Sequence, residues 1–411
     1  MQTITSSQST VSLRNALAFG LCLVCYLLGG TVSTLLSVYL PVAIPELLQT
    51  SVSEAEMGRI GAYLNSAFIY GWMLGGLTLG IVSDRVGRLK TLAFSTGLYG
   101  LFTLCIVFIS DWHILLACRF IAGIGVGGVL LISTVYIAEI WDEKTRPIAL
   151  GILAVAFPVG IILAGILNVQ IPYWKHAFWL GVLPVTLSLV LPVVLSEPAQ
   201  WKDARKTKAV EMQTIFSPEY RRNLLIGGLI FGSVLIGLWA VFSWVPTWVQ
   251  SLLSNTSDGQ KERGTVMMLF GMGGIIGGIV SGFLIRAMGT RYTLLFTFSG
   301  CIVACIALFM NKQFSPVIYI ETAVLALFFG ISQGTLSSYI PALFPTSIRA
   351  TATGFCFNIG RFFTATAVFF VGNLVSVVGG FNNALLLFSS TFIIAWIVAF
   401  YNREANEKTP E

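Results

Sequence analysis

Twelve stretches of the chain are close to unbroken hydrocarbon, and its polar residues are crowded between them. The apolar runs cover 17–45, 58–82, 91–110, 114–140, 147–169, 176–195, 223–251, 264–286, 292–311, 317–342, 351–377 and 383–401. Each is near or above the ~20 residues that an α-helix needs to cross a bilayer. Backbone groups in lipid must be satisfied within their own segment, so helices are predicted for all twelve. The longest polar interval, 197–222, falls between the sixth and seventh runs. It divides the chain into an N-terminal part, 1–196, a linker, 197–222, and a C-terminal part, 223–411. Residues 1–13 are polar and the first run is too long for the core of a cleavable signal, so it reads as a retained first helix.

Composition agrees with the pattern. Hydrophobic residues make up 56% and charged residues 10% of the 411, which excludes a chain that mostly faces water. Charge placement then orients it. Of the 24 Lys and Arg, Arg59, Lys175, Lys261, Arg263 and Lys312 fall on one side of the runs. Arg119 and Arg361 lie inside runs, and all the others fall on the side of the two termini. Basic residues concentrate on the cytoplasmic side, so a multi-pass protein of the cell membrane with both termini cytoplasmic is expected. The net charge of +6 is thereby a topology signal and no nucleic acid is expected as a partner. The seven cysteines all fall in runs, and Cys22-x-x-Cys25 has no matching pair, so no metal or cofactor is expected. No Gly-x-x-x-x-Gly-Lys-Ser/Thr run supports an ATP-driven pump, and no enzyme chemistry is indicated.

The chain repeats itself. Gly80-Ile-Val-Ser-Asp84-Arg-Val-Gly87 aligns with Gly282-Phe-Leu-Ile-Arg286-Ala-Met-Gly289. Tyr136-Ile-Ala-Glu139, followed by Arg146 and Gly151, aligns with Tyr339-Ile-Pro-Ala342, Arg349 and Gly354. Small residues at Gly76/Gly80 and Gly278/Gly282 are spaced to let helices approach closely.

The segment Gly80-Ile-Val-Ser-Asp84-Arg85-Val-Gly87-Arg88-Leu-Lys90 resembles the loop between the second and third helices of the major facilitator superfamily of transporters. That resemblance implies an all-α membrane protein with twelve transmembrane helices in two pseudo-symmetric six-helix bundles, the major facilitator fold. It also places the motif's acid at the cytoplasmic start of the eleventh helix. A carboxylate there is favoured by the helix dipole, by roughly 0.3–1 kcal/mol. Asp84 can serve, whereas Arg286 at the mirrored position cannot. A one-sided cytoplasmic latch of Asp84, Arg88, Glu139 and Arg146 is therefore expected.

Arg119-Phe-Ile-Ala-Gly123-Ile-Gly125-Val-Gly127-Gly128 matches a dinucleotide fingerprint by spacing, but no strand precedes it. It resembles instead the superfamily's fourth-helix motif. A buried Arg119 needs a partner. The repeat sets Glu321 of the tenth run at similar depth, so an Arg119–Glu321 pair across the cavity is expected. The first run carries no acid between Leu17 and Ile44, which excludes coupling through a carboxylate there. Glu321 is the carboxylate inside a run that could take a proton.

Leu343-Phe344-Pro345-Thr-Ser-Ile-Arg349, followed by Asn358-Ile-Gly360-Arg361, resembles the branch of organic-ion carriers, synaptic vesicle glycoprotein 2 and aromatic-acid porters. The Trp174–Pro198 stretch also resembles the sugar porters. Arg361 is roughly 15 Å into its run at ~1.5 Å per residue. An Arg at such depth costs at least ~2.5 kcal/mol and usually marks a substrate path. Tyr39, Asn65, Tyr70, Trp239, Trp244, Trp248, Gln333, Tyr339 and Asn358 are the further candidates for substrate contact. The reading is a secondary transporter of a small organic solute, in particular an organic anion, that works as a monomer in a lipid bilayer. The alternatives are a proton-linked carrier of sugars or neutral metabolites, and a membrane sensor, against which the short loops argue.

Overall fold

The computed structural model describes residues 13–204, 216–253, 258–345 and 348–402. The linker bases Arg205, Lys206 and Lys208 and the tail bases Arg403 and Lys408 lie outside the described residues. Six helices form the first half: α1 Leu13–Leu48, α2 Glu54–Val86, α3 Arg88–Cys105, α4 Trp112–Ile140, α5 Arg146–Gln170 and α6 Trp174–Val194. A short helix, Ala199–Ala204, opens the linker. The second half holds α7 Pro218–Leu252, then one helical rod, Gln260–Phe309, whose arms 260–288 and 290–309 are α8 and α9. It ends with α10 Val317–Ala342, α11 Arg349–Val378 and α12 Phe381–Tyr401.

The helices outrun the apolar stretches because capping residues extend them into the polar zones. Ser53 Oγ accepts from Glu56 N at 3.2 Å to start α2, and Asp111 Oδ1 accepts from His113 N at 2.7 Å to start α4. Two separate runs with a loop were expected at 264–311. The structure bends one rod at Gly289 instead, where φ is +79°. Its repeat mate Gly87 has φ +132° between α2 and α3. Both positions lie at backbone angles that L side chains rarely adopt, so the aligned motif glycines are a conformational requirement as well as a sequence repeat.

Glycines set how closely the helices pack inside each bundle. A Cβ on Gly71 would lie 2.0 Å from Phe120 O, and one on Gly127 2.1 Å from Trp72 O, so α2 and α4 touch backbone to backbone. The second half repeats this between α8 and α10, where a Cβ on Gly277 would lie 2.3 Å from Leu327 O. Gly278 and Gly282 do not take part as expected. Each has open space where a Cβ would project.

Candidate functional site

The two bundles meet chiefly through α2 with α11 and α5 with α8. Their contacts are confined to one end of the molecule. Call the face at which α1 starts and α12 ends the terminal face, and the opposite one the far face. From the far face inward along α2, Tyr63 packs on Phe369 with ring centroids 5.2 Å apart, and Tyr70 Oη lies 2.7 Å from Thr366 Oγ1. Further along, a Cβ on Gly76 would lie 3.3 Å from Asn358 Oδ1. Along α5 and α8, Gln260 Nε2 donates to Asn168 O at 2.7 Å, and a Cβ on Gly165 would lie 2.5 Å from Gly264 O. A Cβ on Gly274 would still reach Pro158 Cβ, at 3.2 Å. Beyond that, Gly151 on α5, Gly278 and Gly282 on α8 and Gly354 on α11 meet nothing within 4 Å. The halves are sealed from the far face to about mid-depth and part toward the terminal face.

Arg361 sits at the apex of that opening. It is twelve residues along α11, roughly 18 Å at ~1.5 Å per residue. Its guanidinium carbon lies 5.4 Å from the centre of the Trp72 ring, and Tyr26 of α1 is its electrostatic neighbour. It is only half-buried, and no hydrogen bond or ion pair joins it to any described residue. Trp72 is the hub around it. Its ring centroid is 5.4 Å from that of Trp239 on α7 and 5.7 Å from that of Phe157 on α5. Beside it, Asn358 Nδ2 donates to Gly354 O at 2.9 Å while its Oδ1 is buried without a partner. Gln333 Nε2 on α10 is likewise buried and unpaired. The arrangement offers a cation that the protein leaves unmatched, apolar ring faces, and amide groups free to bond a polar substituent.

Arg119 makes a sharp contrast. It is 1% exposed, and its Nη1 donates to Val32 O at 2.9 Å and Nη2 to Ser33 O at 3.3 Å. Its carbon lies 3.9 Å from the Phe68 ring centre. The expected Arg119–Glu321 pair is not formed. A helical carbonyl has a second lone pair, and α1 supplies two of them nearer than any acid. Glu321 accepts from Asn311 Nδ2 at 2.6 Å, in the second turn of α10 near the far face. It is no mid-depth carboxylate. The other acids of the spanning helices share that habit. Glu46, Glu54, Glu56 and Glu262 lie near the far face, and Asp84, Glu139 and Glu219 near the terminal face, all in the first or last turns of their helices.

Several expected contact residues are elsewhere. Tyr39 donates to Leu167 O at 3.0 Å and to Ile171 O at 2.9 Å, tying α1 to α5. Trp244 is fully buried in the far seal, against Gly61 and with its ring 5.5 Å from Phe381. Trp248 donates from Nε1 to Asn382 Oδ1 at 2.8 Å. Asn65 accepts from Ser37 Oγ at 3.3 Å in the same sealed part. Tyr70 clamps α2 to α11 through Thr366. Tyr339 Oη accepts from Asn402 Nδ2 at 2.8 Å, close to the terminal face. Of the expected set, Arg361, Asn358 and Trp239 stay with the Trp72 hub, and Gln333 on α10 is joined to none of them by a described contact. Trp72, Phe157 and Tyr26 were missed. Trp72 on α2 and Phe157 on α5 carry the hub. A Trp set between Gly71 and Gly75 was the available signal, because glycines on both sides let α4 pass close and aim the ring elsewhere.

The latch residues are partly assembled. Arg88 bonds Asp84 and lies 3.0 Å from Glu139 Oε1, and it donates to Ser83 Oγ at 3.0 Å. Arg146 stands apart, donating to Trp141 O at 3.4 Å. Asp84 is 66% exposed and no described contact joins it to the start of α11. The carboxylate that caps a helix here is Glu197, which the sequence reading did not single out. Its oxygens accept from Leu89 N at 3.1 Å and Lys90 N at 3.2 Å at the start of α3. A Cβ on Gly87 would lie 2.3 Å from Glu197 Oε1, so glycine is required there on two counts. Trp201 Nε1 also donates to Asp84 O at 3.0 Å, pinning the linker under the first bundle. Glu197→Ala is expected to cost about 1 kcal/mol, the scale of a charged helix cap. Thermal unfolding in detergent checks this, and an unchanged midpoint refutes the cap.

A sequence profile of the Major Facilitator Superfamily matches residues 22–368. The chain is 26% identical to the cis,cis-muconate transport protein of Acinetobacter baylyi over 85% of both chains. It is 25% identical to the 3-(3-hydroxy-phenyl)propionate transporter of Escherichia coli over 96% of both. Similarity to the 4-hydroxybenzoate transporter PcaK of Pseudomonas aeruginosa is 26%, over 77% of this chain and 78% of that one. Among solved structures, the partially occluded inward open conformation of the xylose transporter XylE from E. coli superposes with a TM-score of 0.78 at 14% identity. It covers 97% of this chain and 99% of that one.

Proposed function

The chain belongs to the Major Facilitator Superfamily, and from that premise we propose that it is a secondary active transporter whose cargo is a small organic anion, a carboxylate with an aromatic or unsaturated body. The observation that carries the reading is Arg361: a half-buried guanidinium at mid-depth, with Trp72 beside it and no acceptor among the described residues. A guanidinium takes a carboxylate through two parallel hydrogen bonds. The ring faces of Trp72, Trp239 and Phe157 suit a flat apolar body. Relatives that carry muconate, hydroxyphenylpropionate and hydroxybenzoate support the same class of cargo. The likeness to xylose carriers lies below 25% identity and supports the fold alone.

The charge asymmetry supports placing the terminal face in the cytoplasm of a cell membrane. On that reading the structure is open inward and sealed outward. The bundles are taken as 1–196 and 223–411 with a linker at 197–222. One chain holds the whole path, which supports a monomer. A co-transported proton finds no mid-depth carboxylate to ride on. The test is uptake of labelled 4-hydroxybenzoate, gallate and cis,cis-muconate into proteoliposomes, with xylose as the neutral control. Xylose carried as well by Arg361→Ala as by wild type would overturn the reading.

The Asp84–Arg88–Glu139 network belongs to the first bundle in this state, so any hold on α11 forms when the inner side closes. Asp84→Asn is expected to raise the reactivity of a cysteine at Gly354 toward an impermeant thiol reagent from the cytoplasmic side, with folding kept. Equal reactivity and wild-type turnover would take Asp84 out of the gating.

A further inference from the structure

We infer that this carrier is an obligatory anion exchanger: it returns across the membrane only with a carboxylate bound at Arg361, and a proton gradient does not drive it. The inference rests on the reading of Arg361 as the anion site and adds how the cycle is closed.

The argument is a comparison of the two mid-depth arginines. Arg119 is buried and compensated from within by two α1 carbonyls and the Phe68 ring. Its state does not depend on cargo. Arg361 has only the Trp72 ring, 5.4 Å away, and no carbonyl or carboxylate acceptor among the described residues. In the open state Arg361 is half-buried, and water reaching its exposed part can solvate it. Alternating access requires an intermediate in which both ends are shut and that water is expelled. A lone guanidinium then loses its solvent and gains nothing in exchange.

A protein carboxylate could fold onto the arginine and let the empty carrier close. None can reach it here. Every acid of the spanning helices lies within two turns of a helix end, and the nearest in character, Glu139 and Glu321, are engaged by Arg88 and Asn311. Among the described residues, the titratable groups at this depth are the thiols Cys22 and Cys25 and the phenol Tyr26 on α1, Tyr70 on α2 bonded to Thr366, Tyr99 on α3 donating to Cys25 O, Arg119 on α4, and Cys356 on α11. At this level α5, α7, α8, α10 and α12 contribute none. None of these groups is a carboxylate, so no described residue offers an anion to neutralise Arg361 during closure, and the substrate supplies it. The loaded carrier closes; the empty one is held open.

The test uses the purified full chain in proteoliposomes at equal pH, with protein-free vesicles subtracted. Vesicles preloaded with unlabelled 4-hydroxybenzoate, gallate or cis,cis-muconate are expected to take up the same labelled anion at least tenfold faster than unloaded ones. An inside-alkaline pH gradient on unloaded vesicles is expected to add nothing, and Glu321→Gln to leave exchange unchanged. Unloaded vesicles filling at the loaded rate, or accumulating anion under the pH gradient, would overturn exchange while Arg361-dependent quenching of tryptophan fluorescence by the anion leaves the site reading standing. Absence of quenching by all three anions, or undiminished exchange by Arg361→Ala, would bring down the site reading and exchange with it.

Discussion

Arg361→Ala is expected to lower anion binding by about a hundredfold and to abolish measurable uptake, while the protein still folds. A carboxylate held by a guanidinium in a partly desolvated site is worth about 2–5 kcal/mol when one partner is removed. A loss of ~2.7 kcal/mol already corresponds to a hundredfold. Folding is spared because Arg361 bonds no described residue; only its 5.4 Å approach to the Trp72 ring is lost. Arg361→Lys keeps the charge and loses the fork, so binding should fall by about tenfold and remain measurable. Titration of tryptophan fluorescence with 4-hydroxybenzoate separates the three forms. Equal affinities would mean that the anion binds elsewhere.

That Arg361 could be found from sequence at all follows from chemistry. A charge in a long apolar run is expensive, and its repeat mate is Pro158, so no packing role shared between the halves accounts for it. The same logic pointed to Arg119 and misjudged its partner. A repeat fixes depth along a helix and says nothing about azimuth, and the α1 carbonyls at Val32 and Ser33 carry no signature in a sequence. Tyr39, Asn65 and Trp244 were placed at the site for the same reason. They lie on helices that line the path, yet on the parts that seal the far face. Which stretch of a lining helix faces the opening depends on where the two bundles part. That is a property of the state, and hydrophobicity does not encode it.

The fold was more legible because its determinants are local. Run length gives the spans and the aligned glycines give the two halves. The one departure, the continuous rod through Gly289, concerns a residue whose repeat mate Gly87 also has positive φ. The turn was written in the repeat, although its helical continuation was not. Glu197 lies in the Trp174–Pro198 stretch with nothing to mark its role, since a carboxylate that caps a helix over a hundred residues earlier in the chain leaves no local pattern.

Gly165→Leu is expected to tip the carrier toward its opposite state without unfolding it. A Cβ at Gly165 would lie 2.5 Å from Gly264 O and 2.8 Å from Met268 Cγ, so any larger side chain collides with backbone of the other bundle. The collision exists only while α5 and α8 are pressed together toward the far face. When that face opens the helices part, and the leucine is accommodated. The variant therefore raises the energy of one state and spares the other, and only such a difference moves an equilibrium. A shift of about 1.4 kcal/mol changes the populations tenfold, and a clash with backbone exceeds that. Ser66→Cys, buried in the far seal with its hydroxyl unpaired in the native chain, provides the readout. Its labelling by an impermeant reagent from outside should rise at least tenfold in the Gly165→Leu background, and uptake should fall in step. Gly127→Val is the control. Its Cβ would lie 2.1 Å from Trp72 O within the first bundle, where α2 and α4 stay together in both states, so it should cost folded protein and leave no labelled population to measure. Unchanged labelling of Ser66→Cys in folded Gly165→Leu would show that α5 and α8 do not hold the far face shut.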